Sequence, residues 1–120
     1  MEKIKDSDSR EPEDRPLIIA VDFDGTLTMN DISPEIGEPR TDLITRLIDE
    51  QAKGAKIILW TCRCGEYLDS AVSWCRSQGL YFDAVNDNLQ LVKDWFGNDC
   101  RKVFADVYFD DKFRDFTLPF

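Results

Sequence analysis

The fold of this chain is decided by the stretch Leu17-Ile18-Ile19-Ala20-Val21-Asp22-Phe23-Asp24-Gly25-Thr26. Its apolar run is short and continuous, which is typical of a strand buried on both faces in a parallel sheet covered by helices. Asp22 and Asp24 follow at the carboxyl end of this strand, where open α/β sheets bind their ligands. Two carboxylates this close repel each other unless a cation lies between them, so the pair predicts a metal site. Gly25 then allows a sharp turn and a close approach of the backbone to a ligand.

Three interpretations of this stretch compete. A polar turn after a strand is the simplest, because Asp and Gly are ordinary turn residues. A calcium-binding EF-hand loop is disfavoured, because it needs a glutamate at its twelfth position, where this chain has Ser33. The third is a phosphoryl-transfer site with an aspartate nucleophile. The third is favoured because Asp22-Phe23-Asp24-Gly25-Thr26 resembles the first motif of the haloacid dehalogenase-like (HAD) phosphohydrolase superfamily.

Length and composition indicate one soluble domain. The chain has 120 residues, of which 42% are hydrophobic and 32% are charged, and this is enough for a single core. No apolar run approaches the ~20 residues of a membrane span and no signal-peptide pattern is present, so we expect a cytoplasmic protein without a membrane partner. The net charge of −9 argues against broad binding of nucleic acid, which needs a basic surface. A small anionic substrate bound by local positive charge remains compatible with it.

The chain has four cysteines and no histidine. The cysteines match no common zinc-site spacing, and without a secretory signal we expect free thiols. The absence of histidine removes the Ser–His and Cys–His nucleophile schemes. Acid–base chemistry must therefore fall to carboxylates or lysine.

The rest of the chain alternates predicted helices and strands. A charged, flexible acidic leader is expected over residues 1–16 and a single domain over residues 17–120. Turn residues between the first strand and Thr41 suit a flap or small hairpin over the site. Asn86-Asp87-Asn88 is either a helix cap or a substrate-facing loop, and we favour the cap. The predicted strands cover residues 17–21, 56–61, 80–85 and 107–109, and the predicted helices cover 41–53, 66–78 and 89–96.

The second predicted strand ends in a motif that also resembles the HAD superfamily. Thr61 stands where the resemblance implies a hydroxyl that hydrogen-bonds a phosphoryl oxygen. Arg63 resembles the Thr/Ser-x-Arg variant of polynucleotide phosphatases and related capless members, and an arginine there could grip substrate phosphate in a fork. A surface arginine paired with Glu66 or Asp69 is the alternative interpretation.

The last predicted strand supplies the remaining two motifs. It ends in Asp110 and Asp111, which resemble the acidic fourth motif. Lys102 precedes Asp110 by eight residues and matches in order the lysine of the third motif, while Lys93 and Lys112 remain alternatives.

The resemblance covers about residues 17–115 and implies both a fold and a mechanism. The fold is a three-layer Rossmann-like α/β fold with a parallel sheet of strand order 3-2-1-4 and no cap domain. Asp22 attacks phosphorus to form an aspartyl-phosphate, and Asp24 protonates the leaving oxygen and then activates water. Mg²⁺ and a cation such as Lys102 offset the charge. The implied Mg²⁺ ligands are Asp22, Asp24 through its carbonyl, Asp110 and Asp111, and the implied substrate-binding residues are Gly25, Thr26 and Arg63.

Several functions remain open at this stage. We expect a small phosphorylated metabolite or nucleotide as substrate, with the 3′-phosphorylated ends of nucleic acid as the alternative. A non-catalytic member that binds phosphate or a partner is a further alternative. A receiver domain of a signalling system fits poorly, because its acceptor aspartate ends a later strand. The apolar tail after Phe113 either packs on the domain or contacts a second subunit in a homo-oligomer.

Overall fold

The computed structural model describes residues 14–97 and 103–110 of the chain. Four strands and three helices alternate along these residues. A wide turn, Phe23–Leu27, follows the first strand and is closed by a hydrogen bond from the N–H of Thr28 to the carbonyl of Phe23 at 3.2 Å. The strands are β1 (Ile18–Val21), β2 (Lys56–Leu59), β3 (Ala84–Val85) and β4 (Val107–Phe109), and the helices are α1 (Thr41–Ala52), α2 (Gly65–Ser77) and α3 (Gln90–Phe96).

The four strands form one parallel sheet in the order β3-β2-β1-β4. Val21 at the end of β1 is level with Leu59 of β2 on one side and with Phe109 of β4 on the other. The chain segments that follow these three strands therefore leave the sheet at the same edge. The predicted strand order is confirmed, and the topology is compatible with a Rossmann-like fold.

β1 is buried on both faces, as its continuous apolar run predicts. Ile19 and Val21 belong to an apolar cluster that includes buried residues of α1 and α2. Ile18 and Ala20 belong to a second cluster, which includes Val92 of α3. The alternation follows from the strand period of two, because successive side chains point to opposite faces of the sheet.

The third strand is shorter than predicted. The sequence favours a strand over residues 80–85, but only Ala84 and Val85 pair with β2. The Asp83 carboxylate accepts a hydrogen bond from the backbone N–H of Ile57 at 2.8 Å. The side chain thus takes a donor of β2 that a longer strand would bond through its backbone.

The predicted cap at residues 86–88 is wrong. Leu89 is the N-cap of α3 and makes no capping bond through its side chain. The Asn88 amide oxygen instead accepts a hydrogen bond from the N–H of Phe104 at 2.7 Å. This bond ties the loop before α3 to the segment that leads into β4.

The segment between the wide turn and α1 is a small hairpin, as expected. Thr28 and Pro39 form an antiparallel bridge, and the N–H of Met29 donates to the carbonyl of Glu38 at 2.7 Å. The Arg40 side chain, at the base of this hairpin, donates to the carbonyl of Thr26 at 2.7 Å. The hairpin is therefore fixed to the turn that carries the first motif.

Asp106 lies at the opposite end of β4 from Asp110, away from the edge of the sheet that carries Asp22. Its carboxylate accepts hydrogen bonds from the N–H of Ile18 and from both terminal nitrogens of Arg15. The Arg15 guanidinium holds the pKa of Asp106 below its ordinary value. Arg15 belongs to the predicted leader, so the last residues of that leader contact the domain.

Several predicted features lie outside the described residues. They are residues 1–13 of the leader, Cys100, Lys102, Asp111, Lys112 and the apolar tail. Across the ranges that are described, no helix has both the length and the apolar character that crossing a membrane requires.

Candidate active site

Asp22 lies directly after the central strand, between the segments that follow its two neighbours. Its N–H donates to the carbonyl of Phe109 at 2.8 Å, and the N–H of Trp60 donates to the carbonyl of Val21, also at 2.8 Å. The sheet thus places Asp22 beside Asp110 on one side and beside the segment of Thr61 on the other. Four residues of the predicted site are thereby assigned to one edge of the sheet: Asp22, Asp24, Thr61 and Asp110.

Gly25 and Thr26 lie within the turn that follows β1. Gly25 adopts a left-handed conformation with φ of +79°, which a residue with a Cβ rarely adopts. Its N–H donates to the Thr28 hydroxyl at 3.0 Å. Thr26 is fully buried, and among the described residues its hydroxyl has no hydrogen-bond partner. We therefore assign both residues to shaping the turn, rather than to the substrate contact expected from the sequence.

Thr61 is hydrogen-bonded to Asn86, a residue that we predicted to belong to a helix cap. The N–H of Thr61 donates to the amide oxygen of Asn86 at 2.7 Å, and its hydroxyl accepts a bond from the N–H of Arg63 at 3.2 Å. Asn86 itself has φ of +53°, a conformation that Asn tolerates better than most residues. The sequence signal for this role was an Asn just past the end of β3, which we read as a cap.

Arg63 is paired with the second aspartate of the first motif. Its Nε donates to Oδ2 of Asp24 at 2.8 Å, and its Nη2 donates to Oδ1 at 2.7 Å. These bonds raise the pKa of Arg63 above its ordinary value. The pair replaces the surface contact with Glu66 or Asp69 that was the alternative, since Arg63 is only 7% exposed.

The remaining donors of Arg63 are also used within the chain. Its Nη1 donates to the carbonyls of Pro34 at 3.1 Å and Tyr67 at 3.2 Å, and its Nη2 donates to the carbonyl of Glu35 at 2.9 Å. The guanidinium carbon also lies 4.9 Å from the centre of the Phe23 ring, a cation–π distance. All five N–H groups of Arg63 therefore have acceptors. We do not retain Arg63 as the residue that grips substrate phosphate.

Two clefts meet at Asp22. The first has a volume of about 480 Å³ and lies between the hairpin and the start of α2, where it is lined by Asp24, Asp31, Tyr67 and others. The second has a volume of about 540 Å³ and is lined by Trp60, Tyr108 and Asp110 among others. Asp22, Thr61 and Cys62 line both clefts. A group bound at Asp22 could therefore extend into either cleft.

The described donor set at this edge of the sheet is small for a metal site. Within residues 14–97 and 103–110, no three Cys, Asp or Glu side chains are placed to bind a metal ion together. The Asp24 carboxylate is paired with Arg63, and the metal ligand expected from Asp24 is its backbone carbonyl. Asp22 and Asp110 follow neighbouring strands and line the same cleft. Mg²⁺ needs only one or two carboxylates, with water and phosphate oxygens completing its shell, so this set fits Mg²⁺.

No lysine is among the described residues that line the two clefts. Arg63 is the sole cationic side chain on the described walls of either cleft. Of the three lysines weighed from the sequence, the structure describes Lys93, whose Nζ lies 3.1 Å from the Asp87 carboxylate. Lys102 remains a prediction.

One solved structure is similar to this chain over most of its length. It is that of a conserved protein from Bacteroides thetaiotaomicron, with a TM-score of 0.72 and 36% sequence identity. The similarity covers 85% of this chain and 84% of the other. No family model matches the chain, and no curated protein matches it.

Proposed function

We propose that this chain, which belongs to the same family as the conserved Bacteroides thetaiotaomicron protein, is a Mg²⁺-dependent phosphomonoesterase of the HAD type. The observation that carries the proposal is the convergence of Asp22, Asp24, Thr61 and Asp110 at one edge of a parallel sheet ordered 3-2-1-4. The proposal includes a three-layer fold without a cap domain. The small size of the hairpin between the first motif and α1 supports that part.

In the first step, a carboxylate oxygen of Asp22 attacks phosphorus and the bond from phosphorus to the leaving oxygen breaks. Asp24 gives its proton to that oxygen, so an alcohol leaves rather than an alkoxide. Asp24 lines the cleft between the hairpin and α2 but not the second cleft. The leaving group should therefore occupy the first cleft, because the proton donor must reach its oxygen.

In the second step, water attacks the phosphorus of the aspartyl-phosphate. Asp24, now a carboxylate, takes the proton of the water, and the bond from phosphorus to Asp22 breaks to release phosphate. Thr61 lines both clefts beside Asp22, where its hydroxyl could donate to a phosphoryl oxygen. One aspartate thus acts as acid and then as base, which suits a chain without histidine.

Mg²⁺ bound by Asp22, Asp110 and the Asp24 carbonyl would offset the repulsion between the attacking carboxylate and the phosphoryl group. Asp111 and Lys102 lie outside the described residues and keep their expected roles as an additional acid and a phosphate-binding cation.

The first cleft favours a small substrate with a neutral or cationic alcohol. Its volume of about 480 Å³ suits a metabolite. Its described walls carry Asp31 beside Asp22 and Asp24, while the donors of Arg63 are all used within the chain. Further phosphates on the leaving group would meet negative charge there. The 3′-phosphorylated end of a nucleic acid is therefore disfavoured as substrate. We also propose a cytoplasmic location, where small phosphorylated metabolites occur.

Phosphate release from a panel of substrates tests the proposal. The panel contains sugar phosphates, nucleotides, p-nitrophenyl phosphate and a 3′-phosphorylated oligonucleotide, each with Mg²⁺ and with a chelator. We expect Mg²⁺-dependent release from small monoesters and a loss of about 10³-fold or more in Asp22→Asn. Asp69→Asn, an exposed carboxylate on α2, is the matched control. Absence of release from every substrate by folded protein that binds Mg²⁺ would refute the enzyme and favour the binding role.

A further inference from the structure

We infer that Arg63 is a positioning residue, which orients the carboxylate of Asp24 and fastens the hairpin of residues 28–39 over the first cleft. The inference rests on the proposed function, because it assigns Arg63 a role in presenting the acid–base group of that reaction. It departs from the role expected from the sequence, in which Arg63 contacts substrate phosphate.

The contacts of Arg63 join three separate parts of the site. Two of its donors bind the two oxygens of Asp24 in a bidentate fork, an arrangement that fixes the plane of the carboxylate as well as its position. Two more bind the carbonyls of Pro34 and Glu35 in the hairpin, and the fifth binds the carbonyl of Tyr67 in α2. Movement of the hairpin away from α2 would break these bonds.

The fork leaves Asp24 able to exchange a proton. A carboxylate has about four lone-pair positions, of which Arg63 uses two. One of the other two positions carries the proton that Asp24 donates to the leaving oxygen, and the same position later accepts a proton from water, since Asp24 lines the cleft. Arg63 itself is 7% exposed and has no donor left for a phosphoryl oxygen.

A lysine cannot reproduce this geometry. An ammonium group has three donors and no planar fork, so Arg63→Lys preserves the charge while it loses the fixed orientation of Asp24. Arg63→Lys should not change contacts to the phosphoryl group, because Arg63 has no donor left for it. The defect should therefore depend on how much the leaving group needs an acid.

Two substrates with different leaving groups separate the possible roles. p-Nitrophenolate leaves without protonation, whereas an alkoxide needs the proton of Asp24. The experiment measures kcat/KM, which reports the first irreversible step, for p-nitrophenyl phosphate and for the most active alkyl phosphate of the panel. The variants are Arg63→Lys, Arg63→Met and, as matched control, Arg76→Lys on the exposed side of α2. Circular dichroism establishes that each variant is folded.

We expect Arg63→Lys to lower kcat/KM for the alkyl phosphate at least about 10-fold more than for p-nitrophenyl phosphate, since general acids contribute roughly 10²–10⁴-fold. Arg76→Lys should leave both values unchanged. An equal loss for both substrates would overturn the inference, because a phosphate contact or a general loss of structure affects both alike. Unchanged values for both would overturn it as well.

Hydrogen exchange tests the fastening of the hairpin without any substrate. The amides of Met29 and Arg40 are bonded across the hairpin and its base, and they should exchange faster in Arg63→Lys than in the wild type or in Arg76→Lys. Unchanged exchange would overturn this half of the inference. A wild type that hydrolyses neither substrate would refute the proposed function together with the catalytic half, and the exchange rates would then decide the fastening alone.

Discussion

Replacement of Asn86 tests how the structure holds Thr61 beside the nucleophile. Asn86 contributes two separable features, the amide oxygen that accepts the N–H of Thr61 at 2.7 Å and a backbone with φ of +53°. Asn86→Ala removes the acceptor and places a residue with a poor left-handed preference at this φ. Asn86→Gly removes the acceptor but adopts the conformation freely. Asn86→Asp keeps both features.

The magnitudes follow from these two features. Loss of the hydrogen bond should cost about 0.5–1.5 kcal/mol, and a left-handed alanine should cost about 1–2 kcal/mol more. Asn86→Ala is thus expected to lower the free energy of unfolding by about 1.5–3.5 kcal/mol. Asn86→Gly should lose about 1–2 kcal/mol, because glycine has no steric penalty but a larger loss of backbone entropy. Asn86→Asp should remain within about 0.5 kcal/mol of the wild type.

Urea denaturation followed by circular dichroism measures these differences, and phosphate release from the best substrate measures the effect on the site. The expected stability order is Asp, then Gly, then Ala, which reverses the usual preference for alanine over glycine within regular structure. We also expect KM to rise in Asn86→Ala and Asn86→Gly, because the segment of Thr61 loses its support. An alanine variant as stable as the glycine variant would refute the backbone argument. An aspartate variant as unstable as alanine would refute the hydrogen-bond argument.

Three further predictions concern other parts of the chain. The pKa of Asp106 is lowered by Arg15, so Asp106→Asn should cost about 1–2 kcal/mol at neutral pH. In urea titrations at several pH values, this difference should shrink as the pH falls below the ordinary value of about 3.9 and through the lowered pKa, and a difference constant down to pH 2 would contradict it. Burial raises the pKa of the Cys75 thiol to about 12, so alkylation at pH 8 followed by peptide mapping should label the exposed Cys62 in folded protein and Cys75 only in unfolded protein. Equal labelling rates for Cys62 and Cys75 in folded protein would contradict this prediction. Asp110→Asn should weaken Mg²⁺ binding by about 10-fold or more in calorimetric titration, and an unchanged affinity would remove Asp110 from the metal site.

The central part of the fold could be predicted from local patterns. The apolar run before Asp22 has the length and composition of a strand buried on both faces, and it is one. The order of the four strands came from the resemblance, and the sheet has that order. The alignment of Asp22 and Asp110 at one edge then follows, because parallel strands in register end together.

The contacts of the site could not be predicted in the same way. Arg63 and Asp24 are 39 residues apart, and nothing local distinguishes this partner from Glu66 or Asp69, which lie within reach along the chain. The choice depends on burial, because a guanidinium among backbone carbonyls of the hairpin and α2 satisfies all its donors at once. A surface pair with Glu66 would satisfy fewer.

The surroundings of single residues in the turns were also beyond local patterns. Thr26 is polar and follows a glycine, which favours an exposed position, yet the wide turn over Phe23–Leu27 places it in the interior. Asn is a residue type that often caps helices, but the amide oxygen of Asn86 accepts a hydrogen bond from the N–H of Thr61 at the edge of the sheet. Both outcomes depend on how β1, β2 and β3 are placed beside one another, which no short window of sequence contains.

The proposed mechanism requires that Asp22 become phosphorylated during turnover, and rapid acid quenching followed by peptide mass spectrometry detects a phosphoryl group on this residue. The Asp24→Asn variant is mixed with Mg²⁺ and p-nitrophenyl phosphate, because this leaving group needs no acid while hydrolysis of the intermediate needs the base. We expect the peptide that contains Asp22 to gain one phosphoryl group, which hydroxylamine removes. Turnover of the substrate by the wild type, with no phosphoryl group on Asp22 in the quenched variant or with the group on another residue, would contradict the mechanism.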